Sequence, residues 1–249
     1  MLDFQNLIFA VSDATERFPS ASRLLLQRFA DSLLNGQPPR TSAGWLEHIN
    51  SVFAGQSYHQ KATLSCVALE RKGKTVRAHI LHGGDSVVFL INLKTKLMEY
   101  RTSPDMYFAG RAKGLLSVDE VEIESEDYGL VIASDGIADP ARFSGHPLEK
   151  ITGPVLARLS LHEIPEGLTR FLAELSGPHE YDDIGIIALS PTRLQEQSHS
   201  TILIGGTSAV EENTYQKKLA EGNIPDAWLP INAALAEGTE GVSGVQKPL

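Results

Sequence analysis

Between positions 62 and 134 the chain is a succession of short apolar runs whose joints are too short for a parallel return. "ATLSCVALE", "TVRAHILH", "SVVFLINL" and "LMEY" are separated by Lys72-Gly73, Gly83-Gly84-Asp85 and Lys94-Thr95-Lys96. A parallel crossover needs a dozen or more residues, whereas joints of this length and composition suit tight antiparallel hairpins. "VDEVEIES" and "GLVIASD" read as a further strand pair. Helices flank this region. "SASRLLLQRFADSLLNG" carries Leu25, Phe29 and Leu33 beside Leu26, Ala30 and Leu34 on one broad face, with Ser20 or Ser22 as cap and Gly36 at the expected C-terminal position. "TSAGWLEHINSVFAG" places Trp45, Leu46, Ile49 and Phe53 on one side. Two more helical segments, 148–159 and 166–175, precede a last strand, "DIGIIAL". The expectation is an α+β fold, with two stacked antiparallel sheets and helices on the outer faces.

A chain of 249 residues with 42% hydrophobic content can build one large domain, or a domain with an appendage. From about Ser190 the character changes. "SPTRLQEQSHS" reads as a linker and "GTEGVSGVQKPL" as a loose terminus, with room between them for one strand, a turn and a helix. The expected division is 1–190 for the main domain and 191–249 for a linker and a small appendage or partly disordered tail. A net charge of −9, with no run of basic residues, argues against duplex nucleic acid or an acidic membrane as partner. The opening "MLDFQNLIFAVSDA" lacks a basic n-region and a cleavage site, so it reads as a strand and not a signal. Cys66 is the single cysteine. It excludes an internal disulfide, and a reducing cytoplasm is the expected compartment.

The chemistry lies where strands meet aspartate. Asp13 follows "LIFAVS", Asp135 follows "LVIAS", and Asp182-Asp183 precede "IGIIAL"; Asp85 sits in the Gly-Gly-Asp-Ser turn and Asp139 just beyond Asp135. Any one of these is at home in a turn, where an aspartate side chain accepts from nearby backbone N–H groups, and Asp105, Asp119 and Asp127 are read that way. As a group they differ. Several carboxylates at one sheet edge cannot all ionise together without a counter-charge, so either some are protonated or a divalent cation sits among them. An all-oxygen set suits Mg²⁺ or Mn²⁺, and no Cys/His cluster with zinc spacing is present.

These motifs resemble the metal-dependent serine/threonine protein phosphatases (PPM, or type 2C, family). "FAVSDATE" resembles the family's first metal segment, and "ATLSCVALERKGKTVRAHILHGGDSVVFLI" its paired strands running into a Gly-Asp-Ser turn. "LVIASDGIAD" matches its Ala-Ser-Asp-Gly-x-x-Asp motif, and "YDDIGIIAL" resembles its closing strand. The four occur in the family's order over 6–189. The resemblance implies a sandwich of two antiparallel sheets between helices and hydrolysis of phosphoserine or phosphothreonine in proteins. It implies two Mn²⁺ or Mg²⁺ ions held by Asp13, the Ala14 carbonyl, Asp135 and Asp182. Asp139, with Asp135 and Asp85, matches the positions of a further, weaker ion.

The chain departs from the family in two places. Asp13 is followed by Ala14-Thr15-Glu16 where members commonly have glycines, and Thr15 stands where many carry a histidine proposed as general acid. His82, His146 and His179 are the possible stand-ins. The family's upstream strand with its phosphate-binding arginine has no counterpart, as if the domain were shortened at its N-terminus. Arg17 or Arg23 would have to supply that contact. Gly185 and Asp183 are milder changes from threonine and asparagine. The competing expectation is a weak or inactive phosphatase-like scaffold that binds a phosphoprotein or another partner. A serine hydrolase built on "HGGDS" lacks both Gly-x-Ser-x-Gly and a strand-to-helix setting for Ser86.

Overall fold

The computed structural model describes residues 1–14, 21–54, 62–105, 114–115, 117–138, 148–156, 158–176, 184–198 and 202–205. Its strands are β1 (Leu2–Asp3), β2 (Ile8–Val11), β3 (Leu64–Lys72), β4 (Thr75–Gly83), β5 (Val87–Asn92), β6 (Leu97–Arg101), β7 (Val118–Ile123), β8 (Tyr128–Ala133), β9 (Ile186–Leu189) and β10 (Ile202–Leu203). The helices are α1 (Ala21–Leu34), α2 (Ser42–Phe53), α3 (Leu148–Leu156) and α4 (Ile164–Ser176). Among the described residues the strands form two sheets, ordered β10-β1-β2-β3-β4-β7 and β6-β5-β8-β9, with every pairing antiparallel.

The run Val87–Ile91 in β5 is apolar throughout because both faces are covered. Successive side chains point to opposite faces. In β5, Val88 and Leu90 meet Phe9, Val67 and Ile80 in the core between the sheets. Val87, Phe89 and Ile91 turn the other way, onto Leu156, Ile164, Leu168 and Leu172 of α3 and α4. On the far side, Ile8, Leu64, Cys66 and Leu81 pack against Leu25, Phe29, Trp45 and Ile49 of α1 and α2. The result is a four-layer α-β-β-α sandwich with three apolar cores. Each fully buried Phe or Leu among them stabilises the fold by about 2 kcal/mol. Thr41 caps α2, its Oγ1 accepting from the Gly44 N–H at 3.1 Å.

Two expected hairpins are not hairpins. Gly73 does turn β3 into β4, with φ +67°. Gly83-Gly84-Asp85 instead carries the chain from β4 in the larger sheet to β5 in the smaller one. Likewise β7 pairs with β4, while β8 pairs with β5 and β9, so "VDEVEIES" and "GLVIASD" lie in different sheets. Gly36 stays outside the left-handed region, and Asn35 closes α1 by donating from Nδ2 to the Asp31 carbonyl at 2.7 Å.

Beyond position 190 the described residues lie on the larger sheet. Arg71 donates to the carbonyls of Thr192 and Leu194. β10 pairs with β1, and Ile202 is buried in the core under α1 and α2. No helix among the described residues is long and apolar enough to cross a membrane.

Candidate active site at the shared end of the two sheets

The β2–β3 ladder ends at Val11–Ser65, and beyond it side chains take over. Ser12 Oγ donates to the Thr63 carbonyl at 2.7 Å, and the Asp13 N–H donates to Thr63 Oγ1 at 2.9 Å. The Thr63 N–H returns a bond to the Asp13 carbonyl at 2.7 Å, and Ala14 bridges to Ala62. The half-buried Asp13 carboxylate accepts from the Ala14 N–H at 2.9 Å.

The Asp85 turn is held from two sides. Gly84, at φ +104°, donates its N–H to Asp105 Oδ1 at 2.7 Å, and the Asp105 N–H donates to the Gly84 carbonyl at 2.8 Å. Asp105, read from sequence as an ordinary turn residue, therefore clasps the turn from 21 residues away. On the other side, Ser86 Oγ lies 2.5 Å from Thr63 Oγ1, with both residues buried. Buried and so engaged, at the start of a strand, Ser86 is not an exposed nucleophile.

Asp135 is mounted differently. The Ser134 N–H donates to the Gly185 carbonyl and the Gly185 N–H donates to Ser134 Oγ, both at 2.9 Å. The chain then turns through a short 3₁₀ segment, Asp135–Ile137, closed by the Ala138 N–H on the Asp135 carbonyl at 2.6 Å. Asp135 is only 9% exposed.

Register brings these positions to one end of the sandwich. Leu64 pairs with Gly83, and Ala133 pairs with both Val87 and Ile186. A Cβ on Gly185 would lie 3.6 Å from Val11 Cγ1, so the ends of β2 and β9 adjoin across the sheets. Asp13, Asp85 and Asp135 thus stand at a common edge. Asp139, Asp182, Asp183, Thr15, Arg17, His146 and His179 lie outside the described residues. Among the described residues no group of three His, Cys, Asp or Glu side chains is close enough to hold a metal ion. The donors at this end, carboxylates and the Ala14 carbonyl, are hard oxygen ligands of the kind that Mg²⁺ and Mn²⁺ prefer.

His82 sits at the same end, opposite Ser65. Its Nδ1 lies 3.2 Å from Ser65 Oγ and its Nε2 3.1 Å from the Ser103 carbonyl. Burial pushes its pKa below the ordinary value, outweighing the opposing pull of Asp105. With both ring nitrogens engaged, His82 is tied into the scaffold. Arg23 lies half-buried in the first turn of α1. Thr63 is the residue that reading strand ends for carboxylates passed over, since it carries no charge and precedes a strand.

No protein-family model matches the chain, and no curated protein matches it in sequence. Solved structures do match. One holds the PP2C phosphatase domain and a fragment of the regulatory domain of the cell-fate determinant SpoIIE from Bacillus subtilis, with TM-score 0.57 and 15% identity over 73% of this chain. Another is a bacterial serine phosphatase bearing an arginine-to-glutamate substitution, with TM-score 0.54 and 17% identity over 75% of this chain and 87% of that one. A third is the S. agalactiae serine/threonine phosphatase, with TM-score 0.51 and 16% identity over 75% of this chain and 89% of that one. The chain spans 53% of the first of these. The fold is that of the bacterial PP2C (PPM) serine/threonine phosphatase domains.

Proposed function

We propose that this chain hydrolyses phosphoserine or phosphothreonine in a phosphoprotein. The observation that carries the reading is the arrival of Asp13, Asp85 and Asp135 at one end of a PP2C-type sandwich. In this reading Asp13, the Ala14 carbonyl, Asp135 and Asp182 hold two Mn²⁺ or Mg²⁺ ions, and Asp85 with Asp139 and Asp135 offers the place for a third. Bound there, hard divalent cations bring the pKa of water towards neutrality and offset the charge of the phosphoryl oxygens. The protein's own part is positional. Asp135 is kept buried by the Ser134–Gly185 pair, and Asp13 is aimed by the bonds to Thr63. We assign residues 1–190 to the phosphatase-like domain and 191–249 to a C-terminal extension whose first part, through β10, adds to the larger sheet. The lone, buried Cys66 favours a cytoplasmic setting.

A second reading, a phosphatase-like scaffold that binds without turnover, is favoured by the bond from the Ala14 N–H to Asp13 Oδ1, which engages one ligand oxygen within its own loop. One assay separates the two. Hydrolysis of p-nitrophenyl phosphate is measured with Mn²⁺, with Mg²⁺ and with EDTA, beside Asp135→Asn. Metal-dependent turnover that the variant abolishes is the expected result. A folded protein inert in every metal would leave the scaffold.

A further inference from the structure

Resting on the phosphatase reading of this edge, we propose that Thr63 is a positioning residue that locks the Asp13 strand end and the Asp85 turn into one unit. Asp13 follows β2 and the Asp85 turn follows β4, strands that do not pair with each other; β3, which Thr63 immediately precedes, lies between them. Thr63 joins the two through every polar atom it has. Its N–H and carbonyl bond the Asp13 carbonyl and Ser12 Oγ. Its hydroxyl accepts from the Asp13 N–H and shares a hydrogen bond with Ser86 Oγ. A threonine hydroxyl has one proton and two lone pairs, enough for both bonds at once. Its methyl side closes against the turn as well. A Cβ on Gly84 would come within 2.7 Å of Thr63 Cγ2, so the turn is seated on this side chain. At 2% exposure, water does not substitute for the hydroxyl.

The chemistry separates the two halves of the side chain. Thr63→Val keeps the shape but sets a methyl against an N–H at 2.9 Å and an oxygen at 2.5 Å, leaving both groups unbonded and wedging them apart. Thr63→Ser keeps the hydroxyl and gives up only the methyl. A residue that merely fills space would show the reverse order.

The test uses the full chain with two readouts. Isothermal titration with Mn²⁺ alone should show affinity about 10- to 100-fold weaker in Thr63→Val, the range typical of residues that orient metal ligands, and within about threefold of the parent in Thr63→Ser. Amide hydrogen exchange in the metal-free protein should show the Asp13 N–H exchanging about tenfold faster or more in Thr63→Val, with the β5 and β8 amides unchanged and Thr63→Ser near the parent. If Thr63→Val is unfolded, Thr63→Ala, which removes the hydroxyl without the wedge, takes its place with the same expected order. Parent-like affinity and exchange in the hydroxyl-free variants would overturn the proposal, and so would equal losses in Val and Ser. If the parent takes up no Mn²⁺ while the Asp13 amide still separates Val from Ser, the lock stands and the phosphatase reading falls.

Discussion

Asp13 and Asp135 occupy matching places, each just past the end of an apolar strand, yet they are mounted by different means. Past Ala133 the pairing of β8 with β9 carries on: Ser134 and Gly185 exchange two bonds, and a 3₁₀ turn follows at once. Past Val11 the regular ladder gives way to one main-chain bond from Thr63 to Asp13 and a bridge at Ala14–Ala62. The Thr63 hydroxyl adds a link that reaches both the strand end and the turn leading to the other sheet. The Asp135 mount is largely main chain, so it tolerates substitution of its neighbours. The Asp13 mount draws on the Ser12 and Thr63 hydroxyls beside its main-chain bond, so a single substitution loosens it more. The departures of this sequence from the phosphatase pattern, Ala14-Thr15-Glu16, also fall beside Asp13.

The largest stability effect that breaks this comparison comes from Gly84→Ala. At φ +104°, and with the new Cβ 2.7 Å from Thr63 Cγ2 and 2.9 Å from Thr63 Cβ, neither the backbone nor the seat can give. Left-handed strain and overpacking together should cost about 3 kcal/mol, read as a lower midpoint in urea with the slope unchanged. Ser134→Ala should cost only about 1 kcal/mol, the net worth of one hydrogen bond, because the Ser134 N–H keeps its bond to Gly185. If Ser134→Ala matched Gly84→Ala, the view of Asp135 as main-chain mounted would be wrong.

The smallest effect is a pH dependence. His48, His79 and His82 all have folded pKa values below the ordinary 6.5, chiefly through burial. On acidification the unfolded chain takes up protons first, so their contribution is intact above about pH 6.5 and is lost as pH falls towards the depressed folded values. Melting temperature should therefore decline between pH 7 and pH 5. His82 bonds Ser65, two residues from Thr63, so protection of the Asp13 amide, with the intrinsic pH dependence of exchange divided out, should fall on acidification before that of the Ser134 amide. His82→Gln should remove that difference.

Strand identity was legible because it is local. Runs such as "VVFLI" and "LVIA" are apolar on both faces, and only a strand covered on both sides accepts that pattern. Lys72-Gly73 announced a true hairpin because a glycine there meets the turn's need for positive φ. Gly83-Gly84-Asp85 carries the same local chemistry and means something else, since a positive-φ turn bends the chain without specifying which strand the next one joins. The aspartates were legible as candidates, being charged groups at the ends of apolar strands. Thr63 was not, because a neutral hydroxyl before a strand has many ordinary uses. By itself, then, the sequence determined the strands, the amphipathic helices and the strand-end aspartates, all set by interactions between near neighbours in the chain. Only the tertiary structure decided that β4 and β5 part into different sheets, that Asp105 reaches back to Gly84, and that Thr63 joins the two sheet ends. Those contacts span 21 to 50 residues, and they exist only once burial of three apolar cores has fixed which strands lie side by side.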